Sequence, residues 1–304
     1  MMASHRFLME HSMTRFGSQD MSGRLRRVMM RRPGRSLESA DPAEWHYGAG
    51  FNAAKALHQY GQFTRLIENS GAEILWLEDS GDGLADAMFT HDPSVVTDQG
   101  AILLRMGKPL RIPETRLHED AYREARIPIL GRLAAPGTAE GGDCLWLDRD
   151  TLIVGRGVRT NQDGIDQLGR MLGRHGISVS SFDLPFWQGE SACLHLQSVI
   201  SPLAPDLALV FAPLMPAALF QMLRGRGIRL IEAPSDEFHA SNGLSLNVLP
   251  TEPKKLIAVA GFPKSKAAME AAGCTVETFE ADALCIACEG GPTCLTRPIF
   301  RSAG

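Results

Sequence analysis

The sequence predicts an α/β fold: a ring of about five ββαβ units closed around a central axis. Three observations predict it. Paired apolar runs around polar turns recur along the chain. Their starts, placed on Asp92, Asp143, His195, Asn247 and Cys294, lie 51, 52, 52 and 47 residues apart. A period near fifty residues marks a propeller or array of small units. After the later hairpins comes a stretch with helical apolar spacing, then a glycine, then one more apolar run. Finally, the N-terminal region has a strand, a helix and a strand but no hairpin of its own. The C-terminal segment around Cys294 can supply it, so the ring closes and sheet edges are covered.

Residues 1–20 mix Arg6, Glu10, Arg15 and Asp20 with apolar side chains and hold no continuous apolar run. They read as a loose N-terminal tail and not as a secretory signal. Residues 21–304 read as a single domain. Gly23 to Met30 is the first strand. Ala53 to Ser70 is a helix with Ala56, Leu57, Tyr60, Phe63 and Ile67 on one face, and Gly71 sits where its cap belongs. Ala72 to Leu77 is the strand after it. The first hairpin spans Asp92 to Leu104. The second joins Asp143–Leu147 to Thr151–Val154, with a helix from Asn161 to Arg174 and a strand over Ile177–Ser180. The third runs from Leu194 to Phe211, with a helix around Met215–Arg224 and a strand over Ile228–Ile231. The fourth runs from Leu246 to Val259, with a helix around Lys264–Ala272 and a strand over Thr275–Phe279. Each helix covers its own unit from outside, and the hairpin strands face the axis.

Composition removes several functional classes. A chain of 304 residues that is 44% hydrophobic and 22% charged can bury a large core. Its net charge of −4 argues against a nucleic-acid surface, which would be basic. The apolar stretch from Ser198 to Leu223 is broken by Pro202, Pro205, Asp206, Pro213 and Pro216, a poor membrane span. Six cysteines in a chain this long do not make a disulfide framework. A soluble cytoplasmic protein is expected.

The ring carries a chemical consequence. Equivalent positions converge on the axis, and here they are Asp, Asp, His, Asn and Cys, where core positions would mostly be aliphatic. Glu140 precedes Asp143 by three residues and Glu289 precedes Cys294 by five, both on approach turns. The segment from Cys288 to Arg297 holds two glycines and a proline, which suits a thiol displayed on a turn. Nucleophile, base and orienting acid are thereby drawn together. The bland alternatives are a packed thiol at Cys294, a satisfied core histidine at His195, a turn brace at Glu140 and a turn pair at Asp92-Pro93. Asn161 reads equally as the cap of the helix after it. Cys285, Cys288 and Cys294, with Cys274, could suggest a zinc knuckle, but only one pair is tightly spaced, so no metal is expected. Gly155-Arg156-Gly157 lacks the third glycine of a dinucleotide fingerprint.

Five segments, in this order, resemble the guanidino-group-modifying enzymes: arginine deiminases, dimethylarginine dimethylaminohydrolases and amidinotransferases. They are Phe89-Thr90-His91-Asp92-Pro93 with Arg111 nineteen residues after Asp92, Glu140-Gly141-Gly142-Asp143, Arg159-Thr160-Asn161, Leu194-His195-Leu196 and Gly290-Gly291-Pro292-Thr293-Cys294. The resemblance implies a five-bladed α/β propeller of the pentein type with a central active site. It implies Cys294 as nucleophile, His195 as general acid and base, and Glu140 as the acid bonded to that histidine. Asp92 would bind the substrate guanidinium, and Arg111 and Arg159 its α-carboxylate. Asp143 and Glu289 are further candidate guanidinium or supporting contacts. The implied activity is hydrolysis of arginine or a methylated arginine to citrulline through a Cys-thiouronium intermediate. The alternatives are an amidinotransferase and a non-catalytic binder of cationic amino acids. No cofactor is implied. The expected partner is a small arginine-like guanidino amino acid, with neither nucleic acid nor membrane, and a homodimer is left open. Gln197, two residues after His195, stands where many deiminases and amidinotransferases carry Asp and is closer to the dimethylaminohydrolase pattern, whereas Phe89–Pro93 is nearer the deiminase form.

Overall fold

Five three-stranded sheets make up the computed structural model, which describes residues 16–189 and 194–302. Four are consecutive in sequence. They are β3 (Ser94–Thr97), β4 (Gly100–Leu103) and β5 (Ile129–Arg132); β6 (Cys144–Asp148), β7 (Thr151–Arg156) and β8 (Ser178–Asp183); β9 (Ile200–Ala204), β10 (Leu207–Val210) and β11 (Arg229–Glu232); and β12 (Leu249–Glu252), β13 (Lys255–Val259) and β14 (Thr275–Phe279). In each, an antiparallel hairpin is followed by a parallel third strand. The fifth sheet joins the two ends of the chain. β1 (Arg24–Arg31) lies antiparallel to β15 (Arg297–Ser302) and parallel to β2 (Glu73–Leu77). The predicted closure is therefore the observed one, and the fold is a five-bladed α/β propeller.

Each third strand is reached through a helix, because parallel neighbours need a crossover. The helices are α1 (Ala53–Asn69), α2 (Glu114–Glu124), α3 (Gln162–Gly173), α4 (Ala217–Gly225) and α5 (Pro263–Ala271). Asn52 caps α1 by accepting from the Lys55 N–H at 2.9 Å, and Asn161 caps α3 by accepting from Gly164 at 2.9 Å. Gly71, Gly176, Gly227 and Gly273 follow four of these helices with φ between 75° and 89°, the left-handed turn that feeds the next strand. The α2 blade departs from this rule. Arg126 takes that conformation at φ 56°. No glycine marks the stop, and α2 with β5 is the unit that sequence periodicity left unplaced.

The first two strands of the blades are mostly buried, while β2, β5, β8, β11 and β14 are half-exposed. Closure therefore hides the inner edge of each sheet only, fewer edges than predicted. Apolar side chains pack between helix and sheet: α1 buries Ala56, Tyr60, Phe63 and Ile67 beside Leu25, Val28 and Phe279. Of the expected tail, residues 1–15 lie outside the described residues. Gly17 is already tied to the last strand, donating to Ile299 O and accepting from Arg301 N. Among the described residues no helix is long and apolar enough to cross a membrane.

Candidate active site

One end of the axis carries a cavity. Cys294, His195, Glu140 and Asp92 line it together, with Arg111, Arg159 and Glu289 also on its wall. Asp92, Glu140, His195 and Cys294 each arrive on the irregular segment that enters an inner strand, Asn247 does the same for the remaining blade, and Arg111 and Arg159 follow the second strands β4 and β7. Backbone bonds lock the turns to one another: His91 N donates to Cys294 O at 3.1 Å, and Gly141 N to Asp92 O at 3.0 Å.

Glu140 is fully buried. Its Oε2 lies 2.9 Å from His195 Nε2. Its Oε1 accepts from the Gly107 N–H at 2.9 Å and the Lys108 N–H at 3.2 Å, with Arg159 Nη1 at 3.4 Å. Burial works against its charge, but the His195 bond and charge, with Arg159, outweigh it and hold the carboxyl below the usual range. An ionised Glu140 favours the protonated imidazole of His195, whose side chain is 18% exposed to the cavity.

Asp92 is held from two sides. Gly142 N donates to its Oδ1 at 2.9 Å and Arg111 Nη1 to its Oδ2 at 2.8 Å. Burial opposes its ionisation, but Arg111 and His195 keep it well below the ordinary carboxylate range. The wall therefore presents a permanent anion, the natural counterpart of a guanidinium.

Cys294 sits on the Gly290–Thr296 turn. Asn247 Nδ2 lies 3.1 Å from its Sγ, and Asn247 Oδ1 accepts from the Thr293 N–H at 3.0 Å. Burial and then the Asp92 charge push the thiol up, against Gly291 N–H, His195 and Asn247, which favour the thiolate. A cation placed against Asp92 would relieve part of that penalty. Neither glycine of this turn has positive φ. They are needed for close approach: a Cβ on Gly290 would lie 2.3 Å from the Phe89 ring, and one on Gly291 would lie 2.4 Å from Asn247 Cγ.

Of the predicted residues, Arg111 takes a position different from the one expected, and Asp143 takes the supporting one of its two expected roles. Arg111 is 5% exposed and mostly committed. Its Nε and Nη2 grip Glu114 at 2.9 to 3.1 Å, Nη1 holds Asp92, and Nη2 also reaches Phe89 O at 3.0 Å. A guanidinium spent on two carboxylates positions Asp92 and leaves little for a substrate carboxylate. Asp143 is 1% exposed and faces away from the cavity. Its Oδ1 accepts from the Leu196 N–H at 2.9 Å and its Oδ2 from Thr160 Oγ1 at 2.6 Å. It supports the turn carrying His195 and touches no space a guanidinium could enter. Arg159 and Glu289 do face the cavity, Glu289 at its exposed mouth with φ 59°.

Several residues had no signal in the sequence. Lys108 Nζ bonds Asp86 Oδ2 at 2.7 Å and Trp45 O at 3.1 Å, and Tyr47 OH donates to Asp86 Oδ1 at 2.9 Å. The wall is thereby tied to residues 42–47, which fall outside the fifty-residue repeat. Asn247 stood at a repeat position, but its bond to the sulfur follows only from the meeting of two blades. Gln197 lies behind the site, its Nε2 shared between His91 Nε2 at 3.1 Å, Gly141 O at 3.1 Å and Cys144 O at 2.8 Å.

The chain is similar to known proteins in sequence and in fold. The family model described as arginine deiminase matches residues 81–226. The dimethylarginine dimethylaminohydrolase of Pseudomonas aeruginosa is 28% identical over 239 residues, 79% of this chain and 86% of that protein. A solved structure of a cysteine variant of the Pseudomonas aeruginosa enzyme with citrulline aligns over 90% of this chain and 98% of that one, with TM-score 0.72 and 24% identity. An amidinotransferase from Microseira wollei aligns over 95% and 98% with TM-score 0.74 and 16% identity, and both structural likenesses speak for the fold alone.

Proposed function

We propose that this chain is a guanidino-group-modifying enzyme, a hydrolase of guanidino compounds that acts on arginine or a methylated arginine. The observation that supports this most strongly is the convergence of Cys294, His195, Glu140 and Asp92 on one cavity. With it goes a His195–Glu140 contact of 2.9 Å. The uncharged Gln197 and the relative matched over most of the chain favour an N-methylated arginine as first substrate.

Asp92 receives the planar guanidinium, and the added positive charge favours the Cys294 thiolate. The sulfur attacks the guanidino carbon and a C–S bond forms. His195, protonated beside Glu140, gives its proton to the departing nitrogen as the C–N bond breaks, releasing ammonia or an alkylamine. The thiouronium left on Cys294 is attacked by water. His195 takes the water proton, the C–S bond breaks, and a ureido product leaves with the thiolate restored. Arg159 is the cation offered to the substrate carboxylate, and Arg111 acts on substrate only through Asp92.

The test is a panel of arginine, mono- and dimethylarginine assayed for ureido product and free amine, with acid-quenched enzyme weighed for an amidino adduct on Cys294. Wild type forms product and adduct, and Cys294→Ala forms neither. Turnover that requires an added amine acceptor would make the chain an amidinotransferase instead. Binding without adduct or product would make it a non-catalytic binder.

A further inference from the structure

A second cavity lies on the axis behind the active site. It begins at His91 and Gln197, neither of which lines the first, and continues to Arg297 and Arg301. Its volume is about 20 Å³. That is room for one or two solvent-sized occupants and too little for a phosphate or an organic acid.

The wall is unusual in its charge. Arg297 and Arg301 are 6% and 7% exposed. Among the described residues neither guanidinium has a carboxylate within ion-pair distance, and the Nε of each is buried without a partner. The bonds they do make go to backbone carbonyls. Arg297 Nη2 reaches His91 O, and Arg301 Nη1 reaches Gly23 O at 2.6 Å and Pro250 O at 2.9 Å. Asp20 is the only carboxylate in the described lining, and its Oδ1 already accepts from the Ser22 and Gly23 N–H groups. The Ser201 and Thr293 hydroxyls donate to Val248 O, so their protons are spent. Burial, and the repulsion of Arg297, pull Arg301 down to about 10 despite the attraction of Asp20. Two buried cations with no carboxylate at ion-pair distance are strongly disfavoured, and a buried arginine does not escape by losing its proton. A water molecule would satisfy an N–H but would leave the charge.

We propose that this axial cavity binds one small anion of the halide class, chloride where chloride is the abundant ion, between the Arg297 and Arg301 guanidiniums. The site reaches the nucleophile through one residue. Arg297 fixes His91 O, and the His91 N–H holds Cys294 O. An occupied site therefore steadies the turn that displays the thiol, and its occupancy is independent of which guanidino substrate is used.

Crystals grown with bromide test this by anomalous scattering. Thermal melts titrated with chloride against gluconate at constant ionic strength test it in solution. A bromide peak between the two guanidiniums is expected, with a chloride-specific rise in Tm that saturates. Arg301→Met should lose both. Should that variant fail to fold, the wild-type peak and saturation still decide. Density that is water only, or a Tm indifferent to the anion, overturns the proposal. A bromide peak without the solution effect marks an adventitious ion only and overturns it equally. Neither readout uses catalysis, so failure here and failure of the proposed hydrolase activity are separate results.

Discussion

Replacing Gly142 by alanine moves the imidazole of His195 without removing any titratable group. The added Cβ would lie 2.7 Å from His195 Nδ1, 2.8 Å from its Cγ and 3.2 Å from its Cβ. Ordinary contact begins near 3.4 Å, so the ring must retreat by about 0.7 Å. Gly142 has no positive φ, so the backbone accepts alanine and the clash is the whole perturbation. The His195–Glu140 contact, 2.9 Å in the native protein, lengthens beyond hydrogen-bond range if the retreat is away from Glu140. Proton transfer to the leaving nitrogen needs about 2.6–3.2 Å. A misplacement approaching 1 Å costs roughly 10²-fold in kcat, about 2.7 kcal/mol of barrier. Overpacking costs about 1–3 kcal/mol of stability, so the variant still folds. Asp92 keeps its Arg111 contact, so KM moves less than kcat. The assay is steady-state release of ureido product beside a thermal melt. Gly169→Ala is the control: it lies within α3 with nothing near its added Cβ and should gain about 0.5–1 kcal/mol with activity intact. A folded Gly142→Ala enzyme that keeps wild-type kcat would refute the placement of His195 in the mechanism.

Three further perturbations test other parts of the site. Asn247→Ala removes the donor on Cys294 Sγ, which favours the thiolate. The pH of half-maximal alkylation of Cys294 should move upward and turnover near neutrality should fall, and an unchanged alkylation curve would exclude Asn247 from thiol activation. Arg111→Met leaves Asp92 and Glu114 buried without their shared cation, and denaturant melts should show a loss of about 3–5 kcal/mol. A loss under about 1 kcal/mol would mean that the triad adds little. Burial pulls both His91 and His118 down to about 3, so each is neutral in the fold. In the unfolded chain they titrate near 6.5, so the unfolded state binds more protons below that value. This stability is therefore complete above pH 6.5 and lost as pH falls toward 3. His118→Gln should flatten the stability–pH slope between pH 6.5 and 5, and an unaltered slope would show that His118 is protonated in the native protein.

Much of this architecture is written in local sequence. The fifty-residue period follows from the size of one hairpin, one helix and one strand, each set by short-range apolar spacing and by glycines such as Gly71, Gly176, Gly227 and Gly273. Where that punctuation is missing, at Arg126, helix α2 and strand β5 go unread, although the hairpin before them is placed. Repeat position brings Asp92, His195 and Cys294 to one cavity, because chain distance from the inner strand fixes which residue arrives there. It could not decide which way a side chain faces or what meets it from another blade. Asp143 holds a repeat position yet turns to Thr160 and Leu196. Glu140, three residues earlier, reaches the histidine. Arg111 was assigned to a ligand and is consumed by Asp92 and Glu114. The sequence by itself determined the ring and the set of reactive groups brought to its centre. The tertiary structure alone decided their partners, since a buried charge is settled by whichever opposite group lies within hydrogen-bond reach, and those neighbours come from distant parts of the chain.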